Sequence, residues 1–297
     1  MRYFPVLLAL VTISFGADRK LAITVDDLPR GGDGGSITME GLRQMTQKFL
    51  QPFAQEKLPV IGFVNEGRAP AVNRDELRKI FDQWLDAGAT LGNHSYSHPD
   101  INSVPLAEYE EDILQGESIV REALASRGMK LEYFRHPFLH TGATAENKRG
   151  LAAFLRQHNY IVAPVTFDNA DYLFAAAYNN PKFRDRVRQE YVPYMKSTAS
   201  FFEQRSIEVF GREIPQILML HANQMNADLM PELLAMYRAR GYSFISLKEA
   251  LKDDAYRSPE NYVGRKGLSW IHRWSQTKRM PDKFEPDQPA WLPNPYK

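Results

Sequence analysis

Seven short apolar runs, each followed by a stretch of helix length, constrain this chain more than any other feature of its sequence. The runs are 21–25, 60–64, 90–92, 133–135, 161–167, 216–220 and 244–247. Between them, apolar residues recur with helical spacing over 38–56, 75–87, 105–127, 144–158 and 229–240, and Gly88, Gly128 and Gly241 stand just past three of those ends. Strands separated by helices pair in parallel, because the chain must return across the sheet before it can add the next strand. Seven such units in one run predict a single barrel over 18–251 rather than two domains. Two stretches fall outside the alternation. Residues 172–212 read as a helical, polar insertion, and 252–297 as an irregular tail rich in proline. Trp270, Trp274 and Trp291 lie in that tail. They are expected to pin it to the barrel rather than to form a sugar-stacking platform, since aromatic rings contribute large apolar area wherever they are buried.

The first 17 residues follow a different rule. Arg2 precedes the apolar run Pro5–Phe15, then come the small residues Gly16 and Ala17 and the charged Asp18-Arg19-Lys20. A positive start, an apolar stretch and a small-residue exit describe a cleavable signal peptide over 1–17. The run is shorter than the roughly 20 residues a permanent span needs. The expectation is a secreted or periplasmic protein with no stable membrane anchor. Lys plus Arg number 37 against 36 for Asp plus Glu, with no basic block, so nucleic acid is not the expected partner. Cysteine is absent, which leaves His, Asp and Glu as the candidate metal ligands.

Polar residues then fall where a parallel barrel puts its chemistry, at the C-terminal ends of the strands. The first strand ends in Asp26-Asp27, the third in His94-Ser95-Tyr96-Ser97-His98 and the fourth in Arg135-His136-Pro137-Phe138; the fifth ends in Asp168-Asn169-Ala170-Asp171 and the sixth in His221. Each piece alone is weak. Together they place many ionisable groups in one mouth, which is costly unless they pair or hold a metal. Two imidazoles and a carboxylate with open positions left over make a catalytic zinc set, and a second aspartate remains free to act as a base.

These segments resemble the motifs of the polysaccharide deacetylases, the NodB-homology hydrolases of carbohydrate esterase family 4. Thr24-Val25-Asp26-Asp27-Leu28-Pro29 is similar to their Thr-Phe-Asp-Asp-Gly-Pro, and His94-Ser95-Tyr96-Ser97-His98 to their His-Ser-x-x-His. Arg135-His136-Pro137-Phe138 resembles Arg-x-Pro-Tyr, Asp168 to Tyr172 resembles Asp-x-x-Asp-Trp, and Leu218 to His221 resembles Leu-x-Leu-His. The resemblance implies a distorted (β/α)7 barrel that removes acetyl groups from an acetylated glycan such as chitin, peptidoglycan or xylan. It implies that Asp27, His94 and His98 hold one divalent metal, zinc first, with cobalt or nickel as alternatives. It makes Asp26 the general base with Arg135 pairing to it, and His221 the general acid oriented by Asp171. It also gives the Phe138 N–H a share in binding the oxyanion. Leu28, Phe138 and Tyr172 depart from the family's glycine, tyrosine and tryptophan, which bears on substrate rather than on chemistry. His136 and His140 read as structural or rim residues. A small-molecule amidase on the same barrel is the alternative, and a non-catalytic glycan-binding protein a more distant one.

Overall fold

The computed structural model describes residues 19–31, 37–69 and 73–292. The signal-peptide expectation therefore lies outside the described residues, as does most of the glycine-rich loop after the first strand. The chain runs β1 (Arg19–Leu28), α1 (Met39–Glu56), β2 (Val60–Val64), α2 (Arg74–Asp86), β3 (Thr90–Asn93), α3 (Leu106–Gln115), α4 (Ser118–Ala125) and β4 (Tyr133–Phe134). It continues through α5 (Ala145–Gln157), β5 (Ile161–Val162), α6 (Asp171–Tyr178), α7 (Pro181–Phe210), β6 (Gln216–His221), α8 (Gln224–Ala239), β7 (Tyr242–Phe244), α9 (Leu247–Ala250) and α10 (Trp270–Thr277). All pairings are parallel, in the order β5-β4-β3-β2-β1-β6, with β7 beside the start of β1. The sheet curls until Phe167, beyond β5, bridges Leu218 of β6. The result is a distorted seven-stranded barrel wrapped in helices, as the alternation predicts.

Register turns this architecture into a site. Along β1 and β6, Leu21 lies opposite Gln216 and the pairing runs without a slip to Asp26 opposite His221. On the other side of the barrel Asn93 of β3 pairs with Phe134 of β4, so His94 and Arg135 leave their strands side by side. Residues Leu21, Ala22, Ile23 and Val25 of β1 are at most 2% exposed. A strand buried on both faces reads as an unbroken apolar run, and its register cannot shift without moving polar ends into the core.

Three boundaries differ from the sequence expectation, each for a local reason. The helix expected over 105–127 is broken into α3 and α4 at Gly116. A Cβ on Gly116 would lie 2.7 Å from the Ser95 carbonyl carbon and 2.9 Å from the Tyr96 nitrogen, so the break is where this crossover touches the His94–His98 loop. The fifth strand stops after Val162 because Pro164 has no N–H to continue the ladder. The last strand is Tyr242–Phe244 rather than 244–247: Ser246 accepts a hydrogen bond from the Glu249 N–H, and this cap starts α9 at Leu247. The 172–212 stretch is helical, but α6 is apolar, with Leu173, Phe174, Ala175, Ala177 and Tyr178 buried against α7 and α8.

The tail carries α10 and packs on the barrel. Trp274 is 1% exposed and Trp270 8%. Trp291 stacks 4.4 Å from the Arg186 guanidinium and donates its indole N–H to Glu190 Oε2 at 2.7 Å. All three tryptophans are thus engaged with protein.

Candidate active site

A cleft of about 1040 Å³ opens at the C-terminal ends of the strands. At its base, Asp27 Oδ1 lies 3.6 Å from His94 Nε2 and 3.6 Å from His98 Nε2. One ligand atom from each of these residues falls within 4.8 Å of the other two. His94 Nδ1 is 2.8 Å from the Arg135 carbonyl oxygen. A carbonyl only accepts, so Nδ1 carries the proton and Nε2 keeps its lone pair for a cation. Burial lowers the imidazole of His94 to about 4 and that of His98 to about 3, leaving both neutral near pH 7. Burial raises the Asp27 carboxyl, but the charges of His98, His221, His94 and Arg68 outweigh it and hold the group below the ordinary carboxylate range. Two neutral ring nitrogens and one carboxylate oxygen, buried and convergent, fit a divalent metal.

Backbone strain is concentrated at the same place. Asp27, Ser95, His98, Phe138 and Leu139 all adopt positive φ, between 55° and 65°. Left-handed backbone at such residues persists only where the surroundings impose it, and such positions gather at functional sites. Some of the imposing contacts come from residues that the motifs do not include. Asn65, the buried residue after β2, donates Nδ2–H to Asp27 Oδ1 at 2.8 Å. Arg68 Nη1 sits 3.4 Å from Asp27 Oδ2. The Asp112 carboxylate accepts from the Tyr96 and Ser97 N–H groups at 2.8 and 3.0 Å and from the Ser97 hydroxyl at 2.5 Å, shaping the loop between the two histidines. Asn65 carried a signal that could have been used, since it is the polar end of the one early strand for which none was singled out.

Asp26 is 2% exposed, and among the described residues its Oδ1 has no hydrogen-bond partner. The expected pairing with Arg135 is only an ionic approach, with Nε 3.8 Å from Asp26 Oδ1. The direct hydrogen bond from Arg135 goes instead to Thr24 Oγ1, at 2.7 Å, and the guanidinium lies 4.9 Å from the centre of the Phe63 ring. Burial raises the Asp26 carboxyl and exceeds the lowering by Arg135 and His221, so the Arg135 charge expected to keep it ionised does not offset its burial.

His221 and Asp171 meet as expected. The Asp171 carboxylate accepts hydrogen bonds from His221 Nδ1–H at 2.7 Å, from the His221 backbone N–H at 2.8 Å and from the Asn226 side-chain amide at 2.7 Å. Burial lowers the imidazole, but the charge and hydrogen bond of Asp171, with Asp27 and Asp26 beyond, raise it to about 10. Phe138 stands at the mouth, 45% exposed, its ring 4.4 Å from that of His98 and nearly edge-on. His140 bonds Asp100 at 2.7 Å, and among the described residues buried His136 has no partner for Nδ1; neither belongs to the Asp27–His94–His98 cluster. The tail also lines the cleft, through Phe284 to Gln288. Among the described residues no helix is long and apolar enough to cross a membrane.

A curled parallel barrel with carboxylates and imidazoles gathered at one mouth defines a class of hydrolase, and the comparisons narrow it. Residues 16–154 match the family model described as polysaccharide deacetylase, a span that holds Asp26, Asp27, His94, His98, Arg135 and Phe138. Over that span the chain is similar to the polysaccharide deacetylases, a family of hydrolases that act on N-acetyl groups. No curated protein matches it. In fold it is similar to the chitin deacetylase from the fungal pathogen Colletotrichum lindemuthianum, at 22% identity and a TM-score of 0.52 over 84% of this chain and 93% of that one. It is similar to a mutant, with restored enzymatic activity, of a carbohydrate esterase family 4 pseudoenzyme from Bacillus anthracis, at 16% identity and a TM-score of 0.52 over 80% and 68%. A third likeness is the family 4 esterase domain of a multidomain xylanase from the hindgut metagenome of Trinervitermes trinervoides, at 15% identity and 0.50 over 84% and 100%. At these identities the likeness carries the fold and not the substrate.

Proposed function

We propose that this protein is an exported, zinc-dependent hydrolase that removes acetyl groups from a polysaccharide such as chitin, peptidoglycan or xylan, cleaving N-acetyl and also accepting O-acetyl. Fold alone does not carry this reading, since one protein of similar fold is a pseudoenzyme. The observation that carries it is the placement of Asp27, His94 and His98 as one cluster at the base of the cleft, with Asp26 and His221 paired on adjacent strands above it.

Asp27, His94 and His98 would hold a divalent ion, which would supply Lewis-acid polarisation of an acyl carbonyl and would lower the pKa of water from about 15.7 toward about 7. Asp26, whose Oδ1 has no partner among the described residues, takes the proton of the water that attacks the acyl carbon. The Phe138 N–H donates to the oxygen on which charge develops. His221 keeps one proton on Nδ1 against Asp171 and gives another from Nε2 to the departing nitrogen. Amide cleavage needs that proton because an unprotonated amide nitrogen leaves very poorly, whereas an alkoxide leaves more readily. Water is thereby divided between acetate and a free amine or alcohol. Tyr172, whose ring centre is 6.1 Å from that of His221, offers an apolar surface for the acetyl methyl.

Acetate release from chitin oligosaccharides, acetylxylan and peptidoglycan tests this reading. It should stop with a chelator and return with zinc or cobalt. Release that survives complete metal removal would contradict it, and turnover confined to small linear or cyclic amides would favour the amidase alternative. Export is supported by the charge and apolar pattern of residues 1–17. It predicts that the mature protein begins just after Gly16 or Ala17.

A further inference from the structure

The Pro137–Thr141 turn carries Phe138 into the mouth of the cleft, closed locally by the Leu139 N–H on the His136 carbonyl and the His140 N–H on the Pro137 carbonyl, both at 3.0 Å. Phe138 and Leu139 both have φ of 55°, a conformation with no local reward for non-glycine residues. A further restraint comes from a segment more than 100 residues later in the chain. Arg273, at the centre of α10, is fully buried. Its Nη2 donates to the Leu139 carbonyl and its Nη1 to Thr141 Oγ1 at 2.9 Å, while Nε donates to the Leu268 carbonyl at 2.9 Å. The guanidinium lies 4.4 Å from the centre of the Trp270 ring. One rigid fork thus ties the turn to the tail at two points.

Gly267 presses on the turn from the same side. A Cβ there would lie 1.8 Å from the Phe138 carbonyl oxygen and 3.0 Å from its carbon. Gly267 is not among the positive-φ glycines, so contact rather than backbone conformation is what excludes a side chain. The segment is itself anchored at both ends. Lys148 of α5 donates to the carbonyls of Glu260 and Tyr262 at 3.1 and 2.7 Å, and the Trp270 N–H donates to the Val165 carbonyl at 2.7 Å.

We propose that the segment 260–273 is a brace for the reaction, with Gly267 and Arg273 as positioning residues that set the backbone of Phe138 so that its N–H faces the developing oxyanion. This rests on the role given to that N–H in the proposed function. It goes beyond it by making the tail, which lies outside the span of the family match, part of the machinery.

The test uses the full-length, zinc-loaded protein and two variants, Gly267→Ala and Arg273→Lys. An oxyanion donor acts on the transition state and not on the bound ground state, so its displacement lowers kcat and spares KM. Gly267→Ala should lower kcat about 10²-fold, the scale for losing one such donor. KM and one metal per chain should be retained. Hydrogen–deuterium exchange should quicken in the amides of 137–141 and stay unchanged in 94–98. Arg273→Lys keeps the charge but not the fork, and should behave alike. If that variant fails to fold, Gly267→Ala decides alone. A kcat within about twofold of wild type, or unchanged exchange in 137–141, overturns the brace. Wild-type protein that releases no acetate from any substrate fails the proposed function instead, and the exchange measurement then still decides the brace.

Discussion

The barrel strands and the C-terminal tail both reach the cleft, but they do so by different rules. Asp26, Asp27, His94, Arg135 and His221 arrive at the ends of strands whose register is fixed by a buried apolar core. The tail brings Phe284 to Gln288 to the lining of the cleft, Gly267 against Phe138, and Arg273 beneath the Pro137–Thr141 turn. The contrast teaches that this fold separates the groups assigned to proton transfer and metal binding from those that shape the space around them. Changes in the strand ends should therefore abolish chemistry, and changes in the tail should alter rate or fit while leaving the metal in place.

The largest effect expected is from Asp27→Ala or His94→Ala. Either variant should lose the bound metal, measured by elemental analysis after dialysis, and with it all turnover. Next is Asp26→Asn, which removes a general base worth about 10²- to 10⁴-fold. It should suppress acetate release while the metal content stays near one per chain. If it emptied the metal site instead, the division of roles between Asp26 and Asp27 would be wrong.

A smaller effect concerns pH. His221 is raised to about 10 from an ordinary 6.5, so turnover that needs its proton should fall as pH rises through about 10. Asp171→Asn removes the main raising charge and should bring that falling limb of the kcat profile down in pH. The same shift means that the His221–Asp171 contact contributes its full stabilisation below about pH 6.5 and loses it as pH climbs toward about 10. An unmoved limb in Asp171→Asn would break the link between the two residues. The smallest effect is from the tail wall. Phe284 is 63% exposed and lines the cleft, so Phe284→Ala should raise KM severalfold on polymeric substrate with kcat unchanged. Loss of the bound metal in that variant would erase the distinction between the two regions.

The strand ends were legible because their signal is local. A run such as Gln216–Leu220 followed by His221 announces both the strand and the residue at its mouth, and five such ends in order carried the family resemblance. The limits of that legibility are also physical. Pro164 shortens the fifth strand through a missing donor, and Gly116 divides a helix because the His94–His98 loop passes against it, a contact between residues some 20 positions apart. The raised carboxyl of Asp26 reflects how deeply the barrel buries it, which a motif does not state. Arg273 and Gly267 belong to no periodic pattern and act on residues more than 100 positions away. Only the folded chain brings them to the turn.

The claim on which the rest depends is that Asp27, His94 and His98 share one divalent ion beside Asp26 and His221. Anomalous diffraction at the zinc edge, from crystals of the zinc-loaded protein, tests it directly. The account predicts a single peak about 2.0–2.2 Å from an Asp27 carboxylate oxygen and from Nε2 of both histidines. A loaded, folded protein with no peak at that position, or with its metal bound only by other residues, would contradict it.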